Sequence, residues 1–416
     1  MPLILVLMPT PMTVAKRFGF AGSWWANESY LSVLIPEGGD VTRMTMTQKQ
    51  RILAAARGEK LDKVPFGARI DVWYNYHSAH DSLPDRYRGW SQTDIIRDQG
   101  AGAQYRLFSV VREEYRDMEV VEKNDPPYIT TEYVTPLGTV SKKEVFDTSE
   151  GPWIKYELEK LFKSEQDYPV IKYVMEHIVP VDNFEAYRKV RDEVGEDGMV
   201  MSAAGGLWSP VQRVMREILG YEQFFYELAD RPAEVEALIE VMKDLERRKL
   251  KVAVGCDLEI FNICANWSDD IQTPVFKKYF IPWFQEVCDF LHARGRLTMA
   301  HADGEMRRLN PMFRETGIDI AEAVTPAPQT LVTMKEFRRE MGDSVTIWGG
   351  IPSVLFEPMY SDEQFDDYVR NLFREMAPGY RFIVGMGDNL PFDGDINRVR
   401  RVVELIDEYG NLPVEI

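Results

Sequence analysis

Histidine is the side chain whose ordinary titration range brackets neutral pH, and this chain holds only five. One of them, His301, closes the apolar run Arg296-Leu-Thr-Met-Ala300 and is followed by Asp303-Gly304. Glu322 and Asp388 each close an apolar run as well. Imidazole and carboxylate are donors that zinc accepts, so His301, Glu322 and Asp388 are a candidate metal set, with zinc as the cofactor. Spacing alone does not establish it, because the three residues stand on three separate segments. The plainer reading of His301 is a structural histidine. Arg69 and Asp71 are two apart on an expected strand and would share a face. Either they form an internal ion pair, or they place a cation and a carboxylate in a pocket. His77 and His80 are read as loop residues beside Tyr74 and Tyr76. Cys264 reads as a buried, inert thiol.

These residues need elements that position them. Thr47–Arg57 is amphipathic and stops at Gly58, which predicts a helix, and Val64–Ile70 reads as a short buried strand. Tyr105–Val111 is a second, less clear strand. Residues 117–145 alternate with period two around a Pro136-Leu137-Gly138 turn, which predicts a β-hairpin excursion. Beyond it, strands are expected at 199–204, 258–264, 297–301, 318–324, 345–348 and 382–386. Helices are expected at 183–194, 210–228, 232–254, from Pro274 to about 294, and at 306–315, 334–341, 362–376 and 396–409. Eight apolar runs separated by helices imply parallel β-α units, and their number predicts an α/β fold, a single (β/α)₈ TIM barrel. A Rossmann-like sheet is the alternative, but no G-x-G-x-x-G follows an early strand.

In such a barrel the residues just past each strand face the active site. Trp73, Tyr74, Trp208, Asn266, Trp267, Trp348 and Asn389 fall there and are candidate substrate contacts, the tryptophans as apolar walls. His301, Asp71 and Arg69 are the candidate catalytic residues. Loop solvation alone would also make strand ends polar. Gly205-Gly206 and Gly349-Gly350 permit close backbone approach but sit in no phosphate-loop pattern.

A net charge of −18, from 67 acidic and 49 basic residues, argues against nucleic acid and anionic membrane as partners. Three cysteines without a C-x-x-C argue against a disulfide framework and for a cytoplasmic location. Residues 1–43 lack periodicity and are read as a poorly ordered or misassigned extension; the apolar start at Met1–Met8 is cut by Pro9 and Pro11. The domain is expected to run from 44 to 416, and a homodimer is a reasonable assembly.

Four stretches in order carry a family likeness: TQKQRILAAARGEKLDKVPFG from Thr47, GGLWSP from Gly205, HADGEMRRLNPMFRETGID from His301 and VGMGDNLPFDG from Val384. The chain resembles the uroporphyrinogen decarboxylase superfamily from about Thr47 to Gly410. The resemblance implies a TIM barrel and one of two chemistries. True uroporphyrinogen decarboxylases carry an R-Q-x-G-R arginine cluster after the first strand and typically end the last one in G-H-G. Here those places read ARIDVWYNYH, with Arg69 alone, and Gly385-Met386-Gly387. The other branch moves methyl groups to or from a corrinoid on a cobalamin-binding partner protein, usually with zinc held by H-x-C and a distant Cys. His301 matches that His, while Asp303 and Asp388 stand where the cysteines would be. The resemblance therefore implies a corrinoid-dependent methyltransferase with a small-molecule substrate. Uroporphyrinogen decarboxylation, with Asp71 steering a pyrrole N–H and Arg69 on a carboxylate, and a ligand-binding barrel without catalysis are the alternatives.

Overall fold

The computed structural model describes residues 46–147, 154–203 and 209–416. The expected 1–43 extension, the Gly205-Gly206 pair and Trp208 lie outside the described residues. Helix α1, Gln48–Arg57, starts on a Thr47 capping box and stops at Gly58 in the left-handed conformation (φ 69°), as its sequence dictates.

The strands are β1 (Phe66–Ala68), β2 (Gly102–Ser109), β3 (Val111–Tyr115), β4 (Glu119–Asp125), β5 (Tyr128–Thr135), β6 (Gly138–Asp147), β7 (Ile154–Glu159), β8 (Ile178–Asp182), β9 (Gly198–Ala203), β10 (Ile260–Ala265), β11 (Leu297–His301), β12 (Ile320–Val324), β13 (Thr346–Ile351) and β14 (Phe382–Met386). Eight of them close a parallel barrel in the order β1-β14-β13-β12-β11-β10-β9-β2, with helices interleaved. This is the expected (β/α)₈ architecture. The excursion between β2 and β9 is larger than a hairpin. β4 to β7 form a four-stranded antiparallel sheet and β3 pairs with β8; the Pro-Leu-Gly turn joins β5 to β6. Among the described residues no helix is long and apolar enough to cross a membrane.

Three helices depart from expectation. The run predicted at 210–228 breaks at Gly220 (φ 89°) into Pro210–Ile218 and Tyr221–Asp230, the first ending in a π-turn. The helix assigned to Pro274 begins at Asp269, and a π-turn, Phe276–Phe280, follows the proline. Helix 306–315 shortens to Asn310–Phe313 and a 3₁₀ turn.

The barrel lumen is packed, not open. Met199, Met201, Ile260, Met299, Ile320, Trp348 and Ile383 fill it, and α1 seals its N-terminal end with Ile52 and Ala54–Ala56. Trp348 fits because Gly67 and Gly385 carry no Cβ; one at Gly385 would stand 2.7 Å from the indole. Gly385, the first motif glycine of the last strand, is thus a packing residue for Trp348, while Gly387 faces Thr325. Gly385→Ala is expected to destabilise the protein by about 1–3 kcal/mol through overpacking, and Trp348→Phe in the same chain to restore part of it. Denaturant unfolding of the two single variants and the double checks this; strictly additive losses contradict it.

Candidate active site

β11 and β12 lie side by side, with His301 in register with Glu322. Paired residues of a parallel sheet project to one side, so both side chains enter the barrel mouth. His301 Nδ1 meets Glu322 Oε2 at 2.7 Å, and the side chains are 4% and 1% exposed. β2 stands across the barrel from β12. From it Gln104 Nε2 donates to Glu322 Oε1, and Arg106 Nη2 donates to Oε2. Oε2 thereby receives both Arg106 and the imidazole, which come within 2.6 Å of each other.

The other edge of the ring faces the solvent side. His301 Nε2 lies 3.4 Å from Asp388 Oδ1 and 3.5 Å from Asp303 Oδ2. Arg69 bridges Asp388 and Asp71: its Nη1 donates to Asp388 Oδ1 at 2.5 Å, and its Nε to Asp71 Oδ1 at 2.9 Å. Asn389 Nδ2 donates to Asp71 Oδ1 at 2.8 Å, and Asn389 Oδ1 accepts from Val72 N. The cluster therefore links the ends of β1, β11, β12 and β14 and the body of β2.

Its electrostatics follow from crowding opposite charges in a dry space. Burial, the largest influence on His301, and the Arg106 charge push its pKa down; Glu322, Asp303 and Asp388 outweigh them and bring it up to about 10. Burial raises Glu322, but Arg106 and His301 overcome it and hold the carboxyl at about 2. Burial also opposes the charged form of Asp388, which His301 and Arg69 nevertheless hold below the usual carboxylate range. Burial lowers Arg106. Three carboxylates thus frame an imidazole that keeps its proton at neutral pH.

Several residues sit differently from their sequence reading. Asp71 is not on a strand with Arg69; it opens helix α2, Asp71–Ala79. The ion pair forms across that junction. His77 lies on the same helix and His80 caps it, so neither is in a loop. His77 is engaged with Ser82 Oγ and the Phe392 carbonyl, and His80 with the Tyr76 carbonyl. Trp73 is buried against His77, and Tyr74 donates to the Trp90 carbonyl. Trp267 stacks on Phe284 and meets Phe276 and Phe313, in the layer between barrel and helices, away from the mouth. A bulge in β10 between Asn262 and Cys264 and the left-handed Asn266 (φ 54°) reverse its side. Asn266 is exposed and offers only its carbonyl, to Gln212 and Gln272. Trp348 lies in the lumen, in register with Glu322. Cys264, by contrast, is buried as expected, beside Gln212, its thiol pushed up to about 12 by burial.

Gln104 and Arg106 have no place in the sequence reading. Their two-residue spacing on one strand is the available signal, since period two directs both side chains to one face.

The metal set His301, Glu322 and Asp388 does not converge. Glu322 takes Nδ1 and Asp388 faces Nε2, on opposite edges of one ring, and Glu322 is also bound by Arg106 and Gln104. Among the described residues no group of three or more His, Cys, Asp or Glu is placed to hold a metal ion. The donor set does not fit zinc.

The arrangement can hold a proton at Nε2 and deliver it to a heteroatom brought between Asp303 and Asp388. It is less suited to grip a polyanion, since four carboxylates already outnumber the two arginines and the protonated imidazole.

The family model for uroporphyrinogen decarboxylase (URO-D) matches residues 146–409. Among solved structures, a methyltransferase from Methanosarcina mazei superposes with a TM-score of 0.55 at 13% identity, over 88% of this chain and 99% of that one. At that identity the likeness is one of fold. No curated protein matches by sequence. The family match covers well over half of the chain, which belongs to the uroporphyrinogen decarboxylase family.

Proposed function

We propose that this protein is a methyltransferase that moves a methyl group between a small substrate and the corrinoid of a cobalamin-binding partner protein, with His301 as the proton donor and acceptor. The observation that carries the reading is the charge balance of the cluster. Arg69 is held by Asp71 and Asp388, and Arg106 by Glu322. Asp303 then adds a fourth carboxylate. A tetrapyrrole bearing many carboxylates would enter a cluster whose cations are already matched, at a steep desolvation cost. Methyl transfer asks for something else: the heteroatom that loses a methyl group gains negative charge and needs a proton.

When the partner is docked, its corrinoid supplies the cobalt that takes or gives the methyl group. Asp388, whose side chain is 43% exposed, marks the open edge of the cluster. His301 is oriented by Glu322 through Nδ1, which leaves Nε2–H directed at the substrate heteroatom. As the carbon–heteroatom bond breaks, the heteroatom keeps the electron pair and takes the Nε2 proton. In the reverse direction Nε2 receives it. Glu322 and Arg106 hold the ring through both states.

The test mixes the protein with reduced cobalamin and methylated ethers, amines, thiols and methanol, and follows formation of methylcobalamin. Methylcobalamin from any of these donors, lost with His301→Gln, is the expected result. Failure with all of them, together with coproporphyrinogen formed from uroporphyrinogen, overturns the reading in favour of decarboxylation.

A further inference from the structure

We propose that Gln104 is a positioning residue: by occupying one oxygen of Glu322 it confines Arg106 and His301 to the other, and so presses the guanidinium against the imidazole. The methyl-transfer reading gives this arrangement its use, while the arrangement itself rests on geometry alone. Gln104 is buried on β2, two residues before Arg106 and on the same face. Its Nε2 donates to Glu322 Oε1. Arg106 Nη2 and His301 Nδ1 both go to Oε2, and these two nitrogens stand 2.6 Å apart. An arginine beside a free carboxylate commonly takes both oxygens in a two-pronged pair. Arg106 donates to Glu322 through one nitrogen, because Oε1 is already taken.

The consequence falls on the imidazole. Arg106 and Glu322 face its Nδ1 edge; Asp303 and Asp388 face Nε2, with Arg69 and Asp71 behind Asp388. A cation held against the ring loosens its hold on the proton, in opposition to the three carboxylates. Without Gln104, Oε1 would lie bare in a site closed to water, which is costly. Arg106, whose Nε–H has no partner among the described residues, is the donor at hand, and the terminal torsion of a glutamate turns easily. The guanidinium then closes a two-pronged pair with Glu322 and withdraws from Nδ1. The imidazole keeps its proton more tightly and yields it less readily to a departing heteroatom. Gln104 thus keeps the His301 proton transferable without a hydrogen bond to the ring.

Histidine labelled with 15N in the full-length protein reads that proton directly, and His301→Gln assigns its signals among the five histidines. In Gln104→Met and Gln104→Leu, which keep the bulk and drop the donor, the alkaline titration midpoint of His301 is expected to rise by about one unit, a roughly tenfold tighter hold. Arg106→Met should raise it as well. In that background Gln104→Met should add nothing, because the amide acts through the guanidinium. A lost packing contact, or a carboxylate left to wander, would move the midpoint down or leave it in place. Either result overturns the proposal, as does a rise that persists in full when Arg106 is methionine. If both Gln104 variants fail to fold, Arg106→Met decides alone: a rise supports the proposal and no rise overturns it. In demethylation, Gln104→Met is expected to lower kcat several-fold with KM unchanged. If the midpoint rises and no donor methylates cobalamin, the role of Gln104 stands and the methyl-transfer reading fails. If methylcobalamin forms and the midpoint stays where it was, the reverse is true.

Discussion

Replacing His301 by glutamine or phenylalanine is expected to lower kcat/KM for methyl transfer by roughly 10²- to 10⁴-fold, the usual contribution of a positioned proton donor. The fold should survive, because Glu322 keeps Arg106 and Gln104 as partners when the imidazole is gone. The pH profile separates this role from mere packing. His301 holds its proton up to about 10, so the rate of demethylation should stay level through neutral pH and fall as pH rises through that value. Asp388→Asn takes one carboxylate away from Nε2, which weakens the hold on the proton and moves the fall to lower pH. A structural histidine would leave that limb where it is. Near-normal activity in His301→Phe, or an alkaline limb that ignores Asp388→Asn, would falsify the assignment.

The barrel was legible because parallel strands buried on both faces are short apolar runs. Leu297–His301 and Phe382–Met386 match their sequence reading residue for residue. The helices expected at 334–341 and 362–376 match as closely, and in the structure each opens on a capping box, at Thr333 and Ser361. Two features were not legible. Pro274 looks like a helix start, yet Asp269 opens the helix, its carboxylate tied to the backbone N–H groups of Arg308 and Leu309 far along the chain. A long-range anchor leaves no local signal. Trp267 follows a strand end and so resembles a pocket wall, but a one-residue bulge in β10 turns its side chain outward. A bulge is invisible to a period-two reading.

The candidate site shows the same division. His301, Glu322 and Asp388 could be found because each interrupts apolar sequence at a strand end. Gln104 and Arg106 could not, since polar residues two apart in a strand usually mark a solvent face. Here the face is the barrel lumen, and the reason is Glu322 on the opposite wall. The sequence presents one half of a charge pair at 106 and the other at 322, with nothing between them to announce the contact. The metal set was a reasonable grouping by residue type. Geometry separates it, because its two carboxylates meet opposite nitrogens of the imidazole.

Glu322→Ala is expected to destabilise the protein by about 3–5 kcal/mol, because it strips the shared counter-charge from Arg106 and His301 in a site closed to water. Much of that loss is the cost of two buried cations left facing each other. Glu322→Gln should recover part of it, since the amide keeps an acceptor for one of them. The pH dependence of stability follows from the same groups. Glu322 titrates far below its ordinary value of 4.5, so its contribution is whole above that value and is lost as pH falls towards about 2. His301 titrates above its ordinary 6.5, so its contribution is whole below 6.5 and is lost as pH rises through about 10. Between roughly 4.5 and 6.5 both are complete, and stability falls on either side. In Glu322→Gln the acid limb should shrink, because the carboxyl that titrated there is absent. The alkaline limb should move to lower pH, because His301 has lost its nearest anion. Urea unfolding from pH 3 to 10 reads both limbs in one series. If the substitution lowers stability equally at every pH, Glu322 acts through shape and not charge, and the electrostatic account of the cluster is wrong.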